Sequence, residues 1–502
     1  MSVAPWLKQR LSIFLHSDDA AFVTPSSVSE TRAYYVLLWA VLAVLLIPIW
    51  MVKYPGMLDF PNHLARCYII AHYHDNPLWQ QRYMLVHDPI PNLAIESIVV
   101  PLLRFFSLLV SGKIFLSLTA ALYVLGCSAT GRSITGRPNW LALPCAFTFY
   151  SSIFLYGFVN YIFGVAVFLC AFAYWMRIRN AMTPLRFFLC CLLSMAAFFA
   201  HLSAAVLLGV ACLTIALLDF MRDRKVVRLA VKVLWTGCPV VLLAGFLHSS
   251  GRIGGIVWPT AKEKLLSLFA PISSFNLTAD VVTILALIVC AWVMRKDCKV
   301  HPSVLIGLVF FVLYMTTPRT LFTSSGAHLR YIIPCYLLLV LSLEPRWRRG
   351  QKAALAVALT ALLLHTAAIA VDWRAISHRN EQVLAMGDQL PAGARILVFE
   401  LTPQPGDRTQ TKYDRGFIHV IQYWTVSHGA DLSTLFAIPG QQPLVYRQPP
   451  CDSSAWASCI ANYDYAWTYD PPEGLRKDLL RVATPEATWE KVVLWRLKQA
   501  AK

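Results

Sequence analysis

The chain has 502 residues, of which 57% are hydrophobic and only 14% charged. Soluble globular domains carry roughly 25% charged residues, so this composition excludes a purely soluble enzyme, and the apolar content excludes disorder. The net charge of +17 does not indicate nucleic acid, because outside the C-terminal tail most basic residues cluster between apolar blocks, as in the cytoplasmic loops of multi-pass membrane proteins.

Residues 1–33 are polar and mixed. They show no apolar core between a basic stretch and a small-residue cleavage site, so a cytoplasmic N-terminal segment is expected rather than a signal peptide. The first span is expected from Tyr34 to Val52. Further apolar blocks begin near Gly112, Asn139, Phe158, Leu185, Ser203, Leu229, Ala279, Pro302, Leu329 and Ala353. Many reach the ~18–20 residues that cross a bilayer as a helix. The reading is an α-helical multi-pass membrane protein with about 11 transmembrane helices over 34–372 and an external α/β domain over 373–502.

One block, 97–111, is short and is interrupted by Pro101 and Arg104. Charge decides its place. The clusters Arg132/Arg137, Arg177/Arg179/Arg186, Arg222/Arg224/Lys225/Arg228, Arg295/Lys296/Lys299 and Arg346/Arg348/Arg349/Lys352 all fall on the cytoplasmic side only if 97–111 lies in the interface. The N-terminus is then inside, the tail outside, and residues 53–111 form a long first external loop with interfacial helices.

That loop carries the densest polar cluster, Asp59, Pro61, His63 and Arg66 in LDFPNHLAR. Pro61 suits a helix start, and His63 and Arg66, three apart, share a helix face. Asp59 is then either an N-cap or a functional carboxylate, and Arg66 either a headgroup anchor or a site residue. His201 lies between two spans, where a polar side chain is costly, and is either a packing or a functional residue. Asn160 and Tyr161, in GFVNY, fall at a tight helix crossing. Arg330 and His328, in HLRYIIP, begin a span, where a guanidinium either binds phosphate through its planar fork or snorkels to headgroups. Arg319 is open to the same two readings, and His365, inside the last span, reads as a packing residue.

The tail alternates helical and strand patterns. Residues 374–389 and GFIHVIQYW (416–424) read as helices; LPAGARILVFE (390–400), YDYAWTYD (463–470) and WEKVVLWRL (489–497) read as strands. Cys451 and Cys459 are a disulfide candidate, since an external compartment permits one. No P-loop, GxGxxG, HExxH or paired CxxC motif is present, so ATP-driven and zinc-protease readings have no support.

This layout resembles the GT-C superfamily of integral-membrane glycosyltransferases, which use polyprenyl-phosphate-linked sugars. LDFPNHLAR, GFVNY, HLSA, RYIIP and LPAGARILVF look like segments of poorly characterised bacterial members, and the resemblance covers nearly the whole chain in layout. It implies a bacterial inner-membrane protein, a polyprenyl-phosphate sugar donor, and a lipid-linked glycan or protein acceptor on the periplasmic side. By position it places the first-loop catalytic carboxylate on Asp59, with His63 beside it. Many members carry an adjacent acidic pair there, whereas here the neighbours are Leu58 and Phe60. A divalent ion (Mg or Mn) on Asp59 and His63 would be ligand-poor, and no cofactor is assigned. Donor phosphate would be met by Arg330, helped by Arg319, Arg66 or His201. The competing readings are a lipid or glycolipid transporter, which would show internal repeats and midplane sites, and a non-catalytic cell-envelope scaffold.

Overall fold

The computed structural model describes residues 27–240, 242, 255–321, 324–399, 417–451 and 453–498. The expected N-terminal segment up to Ser26 lies outside the described residues. Among the described residues, six helices are long and apolar enough to cross a bilayer: Val28–Met51, Leu108–Thr135, Val159–Ile178, Leu202–Asp223, Leu277–Met294 and Arg349–Ala385. Four further apolar helices are shorter: Ala142–Leu155, Pro184–Ala200, Val304–Thr316 and Leu329–Leu341. They stand at four more of the expected spans. The block near Leu229 forms the eight-residue helix Val226–Val233 and a 3-10 turn, Leu234–Gly237; its remainder, at 241 and 243–254, lies outside the described residues.

Local chemistry explains the short helices. Val304–Thr316 stops at Thr317, whose φ of −89° and ψ of 135° are extended, because the following Pro318 forbids the helical conformation there. Ala142–Leu155 is broken by a 3-10 turn over Phe147–Tyr150 and by an extended Ser151. The ambiguous block divides between a nine-residue helix, Ala94–Leu102, and the start of Leu108–Thr135; the nine-residue helix is what remains of a separate span. At about 1.5 Å per residue it is far too short to cross the ~30 Å hydrocarbon core.

The chain divides into two compact units. The first comprises Met1–Ile47, Ser117–Ile153 and Asn160–Ala368. Its interior is held by helix packing and by polar side chains that satisfy backbone. The buried indoles of Trp175 and Trp235 both donate to the Lys232 carbonyl, at 3.1 and 2.7 Å. Asn139 donates to the carbonyl of Leu341 at 3.0 Å, the last residue of the Leu329–Leu341 helix, whose terminal carbonyls lack helical partners.

The second unit comprises Pro48–Leu116, Phe154–Val159 and Ile369–Lys502. The segment between the first two long helices and the tail therefore fold together. A five-stranded sheet runs in the order Ala483–Trp489, Val492–Leu497, Tyr465–Tyr469, Arg395–Val398, Asp431–Leu432. The first two pairings are antiparallel and the last two parallel. The first pair closes on a two-residue turn at Glu490 and Lys491, with Glu490 at φ 50°. Leu397, Phe399, Ala466, Leu479 and Trp495 form the core beneath the sheet. Cys451 and Cys459 are joined in a disulfide with Cα atoms 6.0 Å apart.

A second core joins loop to tail. Ala65, Ile69, Trp79 and Tyr83 pack with Leu435, Ala437 and Leu444. Strand Tyr83–Leu85 pairs antiparallel with Leu444–Tyr446. The Tyr83 hydroxyl and Arg82 guanidinium both meet Asp431, at 2.8 and 3.0 Å.

Candidate active site

Asp59 stands at the N-terminal boundary of the helix Phe60–Ala71, with Pro61 in the first turn as the sequence suggests. Its carboxylate does not cap that helix. The N-cap role is therefore not what fixes its side chain. Its backbone is pinned instead: the amides of Leu58 and Asp59 donate to the carbonyls of Leu155 and Tyr156, at 3.0 and 3.1 Å. Gly157 makes this approach achievable. It adopts φ +98°, and a Cβ there would lie 2.7 Å from both Cβ and N of Asp59. No side chain fits that space, which gives the glycine of GFVNY a physical reason.

The carboxylate faces His419, with Nε2 3.3 Å from Oδ1. The tautomer of His419 follows from its neighbours. Asn62 accepts the Phe436 amide on Oδ1 at 2.6 Å and donates from Nδ2 to the Thr434 carbonyl at 2.8 Å. These two backbone groups fix which end of the amide is which. The same Nδ2 lies 3.2 Å from His419 Nδ1, so Nδ1 must accept, and the proton belongs on Nε2. A neutral imidazole therefore turns its Nε2–H side toward the Asp59 carboxylate, at 3.3 Å. Burial holds the His419 pKa down at about 4, so it stays neutral at physiological pH.

His63 and Arg66 lie one turn into the same helix. Arg66 is fully buried and pairs with Glu96 through Nε at 2.9 Å and through Nη2. It also donates to the Phe436 carbonyl at 3.2 Å and to His63 Nδ1 at 2.9 Å. Burial, with the Arg66 guanidinium beside it, keeps the His63 pKa well below its ordinary value. The structure thus gives Arg66 a partner set of its own chain. It also leaves both imidazoles poorly suited to a metal: Nδ1 of His63 is taken by Arg66, and Nδ1 of His419 by Asn62. Among the described residues no group of three or more His, Cys, Asp or Glu is placed to hold an ion. The donor set does not fit the divalent ion that the resemblance raised.

The other site candidates belong to the membrane unit. His201 is the junction between Pro184–Ala200 and Leu202–Asp223, and its Nδ1 accepts the Ser203 amide at 3.1 Å as an N-cap. Its Cβ lies 2.8 Å from where a Cβ of Gly164 would be, so the helices meet closely there. Tyr161 packs edge-on against His201, with ring centres 5.5 Å apart, and donates from its hydroxyl to the Arg330 carbonyl at 3.0 Å. Asn160 is buried beside Tyr161 in sequence. Asn160, Tyr161, His201 and Arg330 therefore share one region of this unit. Arg319 pairs with Glu263 at 3.0 Å, and both are well exposed. His328 is buried against Tyr314, ring centres 6.0 Å apart.

Three residues of the Asp59 surroundings are not evident from the sequence: His419, Asn62 and Glu96. Asn62 is inside the LDFPNHLAR segment and His419 inside a helix-patterned segment of the tail, but only the fold brings them together.

No family model matches this sequence, and no curated protein matches it. Among solved structures it is similar to the crystal structure of ArnT from Cupriavidus metallidurans bound to undecaprenyl phosphate. The TM-score is 0.55 and the identity 11%, over 94% of this chain and 98% of that one. At this identity the likeness is one of fold, and it extends over nearly the whole length of both chains.

Proposed function

We propose that this chain is a multi-pass bacterial inner-membrane glycosyltransferase of GT-C type. It moves a sugar from a polyprenyl phosphate to an acceptor on the external face, with about eleven crossings, the N-terminus inside and the tail outside. Asp59 is the general base. The observation that carries this reading is the treatment of Asp59: its backbone is clamped against Gly157, its carboxylate is not used as a cap, and a neutral His419 faces it at 3.3 Å. The ArnT-like fold supports the lipid-linked donor.

In this reaction the acceptor hydroxyl attacks the anomeric carbon and loses its proton to the Asp59 carboxylate. The bond from that carbon to the phosphate oxygen breaks, and its electron pair leaves with the phosphate. Attack opposite the leaving group inverts the centre. A positioned base of this kind contributes about 10²–10⁴ in rate. His419 faces the carboxylate with Nε2 at 3.3 Å, and its pKa of about 4 prevents it from competing for the acceptor proton. Arg66 and Glu96 act as a brace that fixes His63 and the 434–436 backbone, rather than as phosphate ligands. Arg330 is the proposed phosphate contact, on the strength of its place at the start of a span.

The test is Asp59→Asn in purified protein supplied with polyprenyl-phosphate sugars. Transfer should fall by two orders of magnitude or more, with unchanged chromatographic behaviour and melting temperature. Retained transfer would remove Asp59 from the chemistry.

A further inference from the structure

The second unit contains a cleft of about 440 Å³ whose lining includes Lys53, Tyr54, Glu381, Asp388, Tyr423 and Ser427. That volume lies within the range of small-molecule sites. The cleft gathers the ends of three apolar helices. Lys53 follows the end of Val28–Met51, Leu108 begins Leu108–Thr135, and Glu381 is in the last turns of Arg349–Ala385. The last of these has 37 residues, about 55 Å at 1.5 Å per residue. It therefore outruns the ~30 Å hydrocarbon core and carries Glu381 out to the water boundary.

The cleft has a charge preference. Its lining holds one lysine and the imidazole of His428, whose Nδ1 lies 2.7 Å from Ser427 Oγ, against two carboxylates, and among the described residues neither Glu381 nor Asp388 has a hydrogen-bond or ion-pair partner from its side chain. Lys53 lies over the Tyr54 ring, 5.2 Å from its centre. An anionic lipid phosphate would meet net repulsion here, whereas a hydroxylated, amine-bearing head finds two acceptors for charged hydrogen bonds. The cleft is also tied to Asp59 by short stretches of chain. Tyr54 and Asp59 are five positions apart and His419 and Tyr423 four, so the Cα atoms of each pair lie at most about 18 Å apart.

We infer that this cleft is the acceptor subsite and that it takes the amine-bearing sugar head of an amphiphile. The inference rests on the glycosyltransferase reading above and specifies which substrate enters from this side. The polyprenyl phosphate binds elsewhere, and the two substrates are sorted by charge.

The test uses the full chain in lipid nanodiscs with three probes: an alkyl glucosaminide, the matching alkyl glucoside and undecaprenyl phosphate. Wild type should bind the glucosaminide more tightly than the glucoside. The double variant Glu381→Gln, Asp388→Asn should weaken the glucosaminide about tenfold, one lost charged hydrogen bond's worth, and leave undecaprenyl phosphate unchanged. The assignment is overturned by no glucosaminide binding to wild type, by equal binding to both proteins, or by a loss confined to undecaprenyl phosphate. The melting temperature of the double variant confirms its fold, since the altered carboxylates hold no other group in place. Asp59→Asn separates the two ideas: transfer that survives it defeats the base and leaves glucosaminide binding to stand alone, while lost transfer with charge-blind binding defeats only the cleft.

Discussion

Two aspartates in this chain each face a histidine, and their surroundings differ. Asp280, near the start of Leu277–Met294, is 8% exposed and meets His365 Nε2 at 2.9 Å. It also accepts the Ser274 amide and hydroxyl, at 2.8 and 2.7 Å, and the Ser273 hydroxyl at 2.9 Å. Asp59 is 23% exposed and meets His419 at a looser 3.3 Å. The first carboxylate is surrounded by donors from its own chain, as a buried charge inside a membrane unit must be. The second is held by its backbone and stays partly open to water. A bare Asp–His pair therefore says little about function; what separates a staple from a site is how far the protein closes the carboxylate off from an incoming molecule.

Removing each carboxylate tests that contrast most strongly. Asp280→Ala strands His365 and the Ser274 amide and should cost about 3–5 kcal/mol, read as a large drop in melting temperature or loss of folded protein. Asp59→Ala should cost about 1 kcal/mol, because His419 regains water as a partner. Similar losses in both variants would erase the distinction.

A finer test bears on His419. In His419→Gln the amide nitrogen reaches the place of Nε2 and can still donate to Asp59, whereas the amide of His419→Asn falls at the place of Nδ1. The Gln variant should retain about tenfold more transfer activity than the Asn variant, with little change in acceptor KM. Equal activities would leave His419 a packing residue.

The smallest expected effect is on pH dependence. His63 and His419 both have folded-state pKa values below the ordinary 6.5, that of His419 at about 4. The unfolded chain therefore takes up more protons below pH 6.5. The stability these rings support is complete above that pH and is lost as pH falls toward 4, at up to about 1.4 kcal/mol per pH unit for each ring. Melting temperature followed from pH 7.5 to 4.5 should decline with a slope that His419→Gln reduces. A slope identical in the variant would show that His419 is not among the groups responsible.

Much of this molecule is readable from residue patterns because those features are local. Apolar runs mark the helices, Pro101 and Arg104 mark the short Ala94–Leu102 segment, and the tail's strands stand near the expected places. Pro318 shows where a local rule is available but an apolar run alone misleads: the block near Pro302 yields only thirteen helical residues. The surroundings of Asp59 are half legible. LDFPNHLAR and GFVNY stand out as segments, yet the reason they belong together is the van der Waals distance between Gly157 and Asp59. His419 carries no signal in sequence, because a histidine in a helix-patterned stretch is equally compatible with packing, capping and chemistry. Likewise, the pairing of buried Arg66 with Glu96 has no local signal, because the two residues are thirty positions apart.

Asn62 and His419 are 357 residues apart. At ribosomal rates of about 5–20 residues per second, roughly 20–70 s separate the synthesis of the two. During that interval the nascent chain carries Asp59 without the imidazole that will face it. The surroundings of that carboxylate are therefore assembled only when the last quarter of translation delivers its missing piece.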